Sequence, residues 1–365
     1  ALIGTGIRGK LKENISRLVR LFNNSNSFKL SIDIPTGIDP TTGNNFGEYA
    51  KPNVVITMHR IKKGLLKYEK EFEIIEANIG IPPEAEIYAG KGDVKVTIPK
   101  RNPFSKKGDN GIVLVIGGSR IYHGAPSFTA LAASRSGVDL VYVLVPESIA
   151  VAIRSSNPQL IVIPYKEERL NAKVIEENLN LIKKCDVIAI GPGLGEGVEE
   201  GVEEVFKHAT SFNKFLVVDA DALKTRIAKN RWDQKRAIYT PHAGEFKILT
   251  EKDLPSYDLI EERIKIVKEE SRKLNVVMLL KGHIDIITDG EKVKLNKTGT
   301  QAMTVGGTGD ILTGLCAGIL ARSKKLFESA VSAAYINGKA GEYATKKFGN
   351  QIVATDLLKY IPKII

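Results

Sequence analysis

The chain has 365 residues, of which 43% are apolar and 26% charged. This length predicts two domains with cores of their own, and the composition is ordinary for a soluble globular protein. The net charge of +11 is spread along the chain, where lysines alternate with glutamates as on solvated helix faces. We therefore expect no nucleic acid among its partners.

The cysteine count and the apolar runs exclude two further classes of protein. The two cysteines, Cys185 and Cys316, cannot form a disulfide framework, which favours a reducing, cytoplasmic location. No uninterrupted apolar run approaches the length of a membrane span, so we expect no membrane contact. The sequence starts at Ala1 and not at a methionine, so we expect further residues upstream.

The N-terminal part of the chain reads as a small α/β unit. Apolar, β-branched runs predict strands at residues 30–34, 54–57 and 72–75. The stretch from Pro82 to Pro103 contains Gly90 and Gly92 and predicts a linker. These features predict one domain at residues 1–95 and a second at residues 96–365.

The second domain alternates between strands and amphipathic helices. Strands are predicted at residues 112–116, 141–145, 187–190, 216–218, 238–239, 276–280 and 284–287, and helices at residues 125–136, 259–274, 310–320 and 327–348. Near-continuous apolar strands separated by helices indicate a parallel sheet that is covered on both faces. Asp289-Gly290 is a hairpin signal before residues 293–295, so we expect an antiparallel pair at one edge.

The run Gly306-Gly307-Thr308-Gly309-Asp310 precedes an apolar helical pattern. Glycines let the backbone turn its N–H groups inward, and the start of a helix adds unpaired amides and a positive dipole end. This combination predicts an anion site. A carboxylate there repels phosphate, unless it takes a proton from a hydroxyl that attacks the phosphate. The motif alone leaves open a plain strand-to-helix turn.

Five further polar or glycine-rich clusters each follow a predicted strand. They are Gly117-Gly118-Ser119, Gly191-Pro192-Gly193-Leu194-Gly195, Asp219-Ala220-Asp221, Thr240-Pro241-His242-Ala243-Gly244-Glu245 and Lys281-Gly282. The carboxyl ends of parallel strands share one edge of a sheet, where ligands bind, so together they predict a site. Taken singly, each has a structural alternative: a turn for 191–195, strand ends or helix caps for Asp219 and Asp221, a structural histidine for His242, a helix cap for Glu245 and a surface lysine for Lys281.

Several common enzyme signatures do not occur in the sequence. It contains no G-x-x-x-x-G-K-[ST] phosphate-binding loop and no G-x-S-x-G turn. Its five histidines and two cysteines show no structural-zinc spacing.

The motifs of the second domain, in their order and spacing, resemble those of the NAD(P)H-hydrate dehydratases of the ribokinase-like superfamily. That resemblance implies a ribokinase-like three-layer α/β domain with a mostly parallel sheet. Residues 4–9 (G-T-G-I-R-G) and 33–39 (D-I-P-T-G-I-D) resemble motifs of the NAD(P)H-hydrate epimerases, so the first domain would be a partial Rossmann-like α/β domain.

The resemblance implies a repair reaction on damaged nicotinamide nucleotides. ADP or ATP would phosphorylate the hydroxyl of the S form of hydrated NADH or NADPH, and loss of phosphate would restore the cofactor. Mg²⁺ would accompany the nucleotide, K⁺ would serve the epimerase-like part, and the chain would form a homo-oligomer.

The resemblance also implies site residues. The catalytic group would be Asp310, and Ala125, Gly195, His242 and Asp310 would contact the hydrate. The nucleotide would contact Lys281, Gly282, His283, Ile284, Asp285, Gly307, Thr308 and Gly309, with Glu245 near Mg²⁺ through water. In the epimerase-like part, substrate would contact Gly4, Thr5, Gly6, Ile7, Arg8, Gly9, Lys10 and Asp33, and Thr36 would bind K⁺. The family's other K⁺-site aspartate would precede Ala1, so we expect no epimerase activity from this polypeptide alone.

Two other functions fit parts of the same pattern. A ribokinase-like kinase of a vitamin precursor would use the same phosphate site and base. A nucleotide-binding protein without catalysis would keep the fold, although the intact G-G-T-G-D run argues against it. Turnover of ADP with hydrated NADH distinguishes the three functions.

Overall fold

The computed structural model describes residues 2–3, 7, 9–232 and 234–365. The chain divides into two compact units, Ala1–Ala85 and Glu86–Ile365. The predicted epimerase-like contacts Gly4, Thr5, Gly6 and Arg8 lie outside the described residues.

The first unit is the predicted α/β unit. It contains helix α1 (Glu13–Asn24) and the strands β1 (Leu30–Ile32), β2 (Val54–Met58) and β3 (Glu73–Ala77), which pair in parallel in the order β1-β2-β3. Its buried core consists of Ile34, Ile38, Val55, Leu65, Tyr68 and Phe72. The short helix α2 (Pro83–Ile87) spans the division between the units.

The second unit alternates helices and strands along the chain. Its strands are β4 (Ile112–Ile116), β5 (Leu140–Pro146), β6 (Ile161–Tyr165), β7 (Val187–Ile190), β8 (Phe215–Val218), β9 (Ala237–Tyr239), β10 (Val277–Leu280), β11 (Asp285–Thr288) and β12 (Val293–Asn296). Its helices are α3 (Lys91–Thr97), α4 (Gly124–Arg135), α5 (Glu147–Ser156), α6 (Ala172–Glu177), α7 (Leu179–Lys184), α8 (Glu199–Ser211), α9 (Arg226–Lys229), α10 (Ala243–Thr250), α11 (Ile260–Leu274), α12 (Thr308–Ser323), α13 (Leu326–Phe348) and α14 (Ala354–Ile364).

The nine strands of the second unit form one sheet in the order β12-β11-β10-β9-β8-β7-β4-β5-β6. Strands β4 to β10 are parallel, and β10, β11 and β12 pair in an antiparallel manner. The predicted hairpin at the edge of a parallel sheet is therefore confirmed. Because the parallel strands point the same way, the loops after them share one edge of the sheet.

Helices cover both faces of this sheet. Apolar side chains of α4, α12, α13 and α14 form a core on one face, and those of α6, α8, α10 and α11 form a core on the other. Side chains of one strand point alternately to the two faces, as in β7, whose four residues are all buried. The predicted three-layer α/β arrangement is confirmed.

Two local elements were not predicted. Strand β6 (Ile161–Tyr165) was not predicted, because Pro164 interrupts its apolar run; β6 lies at the edge of the sheet, where a proline is tolerated. The predicted linker contains helix α3, whose Val94 is buried in the core beside α13. Asp93 caps that helix by accepting the N–H of Gly90, so a glycine read as a linker signal is a helix cap.

Two further findings concern the cysteines and the length of the helices. Cys185 and Cys316 are both buried and free of disulfide bonds. Among the helices in the described residues, none combines the length and the apolar character of a transmembrane span.

Candidate active site

The G-G-T-G-D run forms the loop and the first turn of α12. Gly307 is the N-cap with φ +96°, a conformation that favours glycine. A Cβ at Gly307 would also lie 2.8 Å from Ala354 and from the ring of Phe128, whereas a Cβ at Gly306 would meet nothing within 4 Å. The open side of this turn presents the first amides of α12, which have no partners inside the helix.

Asp310 lies in the first turn of α12 and faces two other carboxylates. Burial, followed by the nearby charge of Asp219, raises the pKa of Asp310 to about 7, with a further contribution from Glu245 and an opposing one from Lys281. A carboxylate with a pKa near 7 accepts a proton readily at neutral pH. Asp310 therefore has the electrostatic setting of a general base.

The ammonium group of Lys281 lies among these carboxylates. Its Nζ donates to Asp219 Oδ1 at 2.8 Å and lies 3.6 Å from Glu245 Oε2. Burial opposes the charge, but Asp219 and Glu245 outweigh it, and the pKa of Lys281 is raised. Lys281 Nζ is also 3.6 Å from the position that a Cβ would take on Gly309. A fixed positive charge thus stands beside the amides of α12.

Asp219 connects the end of β8 to the second turn of α12. Its Oδ2 accepts the hydroxyl of Thr313 at 2.7 Å, and that hydroxyl lies 3.2 Å from the carbonyl oxygen of Gly309. Asp219 is only 2% exposed. Asp219 belongs to a cluster that was predicted to lie at the site but was given no role there, and Thr313 was not predicted. The signal for Asp219 was its place directly after a buried strand, whereas Thr313 follows Asp310 by three residues, which places both on one face of the helix.

His242 and Glu245 cap α10 reciprocally. His242 Nδ1 accepts the N–H groups of Gly244 at 3.0 Å and Glu245 at 3.2 Å, and Glu245 Oε2 accepts the N–H of His242 at 2.8 Å. An Nδ1 that accepts carries no hydrogen, which assigns the ring hydrogen to Nε2. His242 is therefore a structural histidine and Glu245 is a helix cap, the two alternatives named from the sequence. The imidazole is nonetheless 59% exposed, so it can also meet a ligand.

Gly195 and Ala125 lie further along the same edge. The N–H of Gly195 donates to Asp221 Oδ2 at 2.8 Å, and Ala125 Cβ is 3.1 Å from the position of a Cβ on Gly193. Ala125 is the second residue of α4, which packs so closely on α12 that a Cβ on Gly314 would overlap the carbonyl oxygen of Thr129.

The contact between α4 and α12 determines where Ala125 lies along the helix axis relative to Asp310. Gly314 lies against Thr129, and further along the two helices Gly318 lies against Ala133, so α4 and α12 run in the same direction. Ala125 and Asp310 each lie about one turn before the first contact. They therefore lie at the same level along the parallel axes of α4 and α12.

The segment 281–285 joins β10 to β11. The N–H of Gly282 donates to Asp285 Oδ1, and Asn296 donates to Asp285 Oδ2, both at 2.9 Å. Burial raises the pKa of Asp285 to about 6. The N–H of His283 donates to the hydroxyl of Tyr257 at 2.9 Å. The side chain of Asp285 is thus engaged within the hairpin, while Lys281 is the member of the segment that reaches the carboxylates.

The remaining predicted residues belong to the N-terminal unit. Thr36 Oγ1 accepts the N–H of Leu2 at 2.9 Å. Asp33 has a φ of +66° and accepts hydrogen bonds from the ammonium of Lys62 and from the N–H of Met58. Burial opposes the effect, but these donors hold the pKa of Asp33 below its ordinary value. Ile7 and Gly9 are partly exposed and Lys10 is exposed.

Comparisons with known proteins match the whole chain. A family model described as NAD(P)H-hydrate dehydratase matches residues 113–363, and one described as the YjeF-related protein N-terminus matches residues 1–64. A bifunctional NAD(P)H-hydrate repair enzyme of Pyrobaculum aerophilum is 43% identical over 100% of this chain and 73% of its own length. An ADP-dependent (S)-NAD(P)H-hydrate dehydratase of Cenarchaeum symbiosum is 42% identical over 76% of this chain and 96% of its own length.

A solved structure supports the fold. The ADP/ATP-dependent NAD(P)H-hydrate dehydratase of Bacillus subtilis, co-crystallized with ATP/Mg²⁺, aligns with a TM-score of 0.65 at 27% identity and covers 76% of this chain and 97% of that chain. The second unit thus has the ribokinase-like fold of these enzymes. With two family models in the expected order and relatives matching from end to end, the chain belongs to the family of bifunctional NAD(P)H-hydrate repair enzymes.

Proposed function

We propose that the second unit dehydrates the S form of hydrated NADH or NADPH at the expense of ADP or ATP. The observation that carries this proposal is the position of Asp310, a base with a pKa of about 7, in the first turn of a helix whose free amides suit a phosphate. Membership of the repair-enzyme family supplies the acceptor, a hydroxyl on the reduced nicotinamide ring.

The first step is phosphoryl transfer to that hydroxyl. Asp310 takes the hydroxyl proton while the oxygen forms a bond to the terminal phosphorus of the nucleotide. The bridging P–O bond breaks, and its electron pair leaves with AMP when ADP is the donor. The amides of Gly307, Thr308 and Gly309 and the ammonium of Lys281 face the charge on the phosphoryl oxygens, which is where fixed donors lower the barrier.

The second step is elimination of phosphate. The C–O bond of the phosphate ester breaks, and its electron pair leaves with phosphate. The neighbouring ring carbon gives up a proton, and the ring double bond forms again. Hydrated NADH and ADP thus yield NADH, AMP, phosphate and one proton. We assign the contacts that hold the ring to Ala125, Gly195 and the exposed Nε2–H of His242.

We also assign a magnesium role to Glu245. Mg²⁺ usually keeps several waters and takes few protein carboxylates together with substrate phosphates. Glu245 fits this pattern, because one oxygen caps α10 and the other lies 3.5 Å from His242 Nε2, which leaves it available to a metal-bound water. When bound, the ion would neutralise phosphate charge. Lys281 would hold the nucleotide phosphates, and we assign further nucleotide contacts to residues 282–285.

The deciding experiment is a turnover assay with ADP and hydrated NADH. The dehydratase restores the absorbance of NADH and releases inorganic phosphate in equal amounts. A vitamin-precursor kinase, the alternative function, would instead accumulate a stable phosphate ester from its own alcohol. Nucleotide binding without release of phosphate or formation of an ester would indicate a protein that has lost catalysis and would rule out the proposal.

For the first unit we propose a relation to the hydrate epimerases, with Asp33 and residues 4–10 as substrate contacts. The carboxylate of Asp33 is held ionised beside Lys62. Thr36 Oγ1 accepts the N–H groups of Leu2 and Ile3, so binding K⁺ there would require one of these hydrogen bonds to give way. This polypeptide alone is expected not to convert R-hydrate to S-hydrate, and formation of S-hydrate from pure R-hydrate, followed in K⁺ and in Na⁺, would contradict that expectation. A homo-oligomer in the cytoplasm remains our prediction for the whole protein.

A further inference from the structure

A cavity of about 780 Å³ opens on the same sheet edge, beside the candidate active site. It lies at the carboxyl ends of β7, β4, β5 and β6 and is lined by residues 119–122, 146–148, 166–169 and 194–196. Its volume is in the range of cavities that bind drug-sized molecules. The proposed chemistry uses only one of its lining residues, Gly195.

Gly195 makes the cavity continuous with the acceptor site. It lines the cavity, and its N–H is held by Asp221, which follows β8. On the other side of that loop, Gly193 lies against Ala125, and Ala125 stands level with Asp310. A ligand whose reacting group is at Asp310 therefore passes Gly195 before it enters the cavity.

The sheet order determines the direction in which the acceptor extends. ADP or ATP occupies the side of β10 and α12, so the rest of the acceptor has to extend toward β7, β4 and β5. Neighbouring strands are about 4.8 Å apart, so the ends of β8 and β5 are about 14 Å apart. A dinucleotide needs such a length for its second half, whereas a vitamin precursor does not.

The lining suits a nucleoside phosphate. Arg120, Lys166 and Arg169 line the cavity, are exposed, and form no ion pair within the described part of the chain. Four carboxylates, Glu147, Glu167, Glu168 and Glu196, line the cavity as well, and of these Glu167 is paired with Lys173 at 2.7 Å.

The cavity also offers groups for the base and the sugar. Tyr122 is 55% exposed and Ile121 is 76% exposed, which leaves an aromatic ring and an aliphatic side chain for a purine to stack on. Glu196, next to Gly195, is an exposed carboxylate of the kind that accepts hydrogen bonds from ribose hydroxyls.

We propose that this cavity holds the adenylate half of the hydrated dinucleotide, with its phosphates at Arg120, Lys166 and Arg169 and its adenine on Tyr122. The inference rests on the proposed dehydratase function. It gives the enzyme a physical means of selecting a dinucleotide over a smaller alcohol, because binding energy from a remote part of a substrate positions its reacting group.

The first test compares two substrates on two variants. Hydrated NADH carries the adenylate half, and the hydrate of reduced nicotinamide mononucleotide lacks it. The wild-type protein should have a kcat/KM at least ~10-fold higher for the dinucleotide. The double variant R120A/K166A and the single variant Tyr122→Ala should lose most of this preference and leave the rate on the mononucleotide unchanged. Lys265→Ala, which removes an exposed lysine of α11, is the matched control.

Equal loss on both substrates, or no loss on either, would overturn the cavity assignment. A failure of the proposed function has a different signature, since no variant and no wild-type sample would then restore NADH. Binding of ADP-ribose, measured by calorimetry with the nucleotide site saturated by ADP, decides the inference in that case. R120A/K166A should weaken this binding at least fivefold (~1 kcal/mol), and undiminished binding would refute the cavity as an adenylate site.

Discussion

The charged side chains at the two ends of the sheet's ligand-binding edge are held in opposite ways. Around Asp310, charged side chains are buried and bound to one another: Lys281 to Asp219, Asp219 to Thr313, and Glu245 to the first turn of α10. In the cavity at the ends of β4 to β7, the cations are exposed and face solvent. Groups that act on a transition state gain from being fixed beforehand, whereas groups that recognise a long, flexible ligand can adapt. Substitutions at the first end should therefore affect kcat, and those at the second should affect kcat/KM for one substrate.

The largest effect is expected for Asp310→Asn. Removal of a general base typically lowers the rate by about 10²- to 10⁴-fold, and asparagine keeps the shape of the side chain. The recovery of NADH absorbance measures the rate, and calorimetry with ADP measures binding, which should be largely retained. A near-normal rate in this variant would remove the base from the proposed mechanism.

A smaller loss is expected for Asp219→Asn. The change deprives Lys281 of its charged partner and disturbs the hydrogen bond from Thr313, at a cost of about 1–3 kcal/mol. If the same free energy is lost from the stabilisation of the transition state, kcat falls about 10- to 100-fold. Asp253→Asn, which breaks an exposed ion pair with Lys247, should leave kcat unchanged. An effect of Asp219→Asn on stability alone would make Asp219 purely structural.

Two substitutions of His242 can separate its role in helix capping from its proposed role in substrate binding. His242→Ala should lose about 1 kcal/mol of stability with the N-cap and raise the KM for hydrate about 10-fold, as expected for one lost hydrogen bond. His242→Asn supplies a good N-cap without the imidazole, so it should restore the melting temperature and leave KM high. Recovery of both by asparagine would show that the ring does not meet the substrate.

The raised pKa of Asp310 predicts two pH dependences of opposite sign. Because the base acts when deprotonated, kcat/KM should rise with pH through about 7. Stability should fall over the same range, because a folded pKa above the ordinary value of 3.8 means that folding takes up a proton between these two values. The stability advantage of Asp310→Asn should therefore grow from pH 4 to pH 8. A constant difference in unfolding free energy would contradict the shift.

The smallest effect is expected for Thr313→Val. It removes the buried hydroxyl that Asp219 accepts, which should cost about 1 kcal/mol in chemical denaturation, with somewhat more if Asp219 is left short of a donor. Thr97→Val is a suitable control, because the one hydrogen bond of that buried hydroxyl among the described residues is to the carbonyl of Asp93 in its own helix. Equal losses of unfolding free energy in the two variants would show that the hydrogen bond between Thr313 and Asp219 stabilises the protein no more than a bond within one helix.

The architecture was predictable because its signal is local. Strands such as β4 and β7 are uninterrupted apolar runs, and the polar clusters after them define one edge of the sheet whatever the strand order. Strand β6 was missed for an equally local reason, since Pro164 lowers the strand signal and only the place of β6 at the edge makes that proline acceptable.

The pairing inside the site was not predictable, because it joins residues that are far apart in sequence. The hydroxyl of Thr313 and the carboxylate of Asp219 are separated by 94 positions, and no periodic pattern links a strand end to a helix turn at that distance. The double role of His242 is another case, since a histidine that accepts two backbone N–H groups looks the same in sequence as one that meets a ligand.

The contact between Gly307 and the last helix of the chain has a practical consequence. Ala354, the first residue of α14, closes the space next to the glycine that starts α12. Helix α14 therefore supports the proposed phosphate-binding turn from behind, although none of its residues is among the proposed ligand contacts. Deleting this helix, or fusing a bulky label at its beginning, should release the turn and lower nucleotide affinity, so reporters for binding studies are better attached elsewhere.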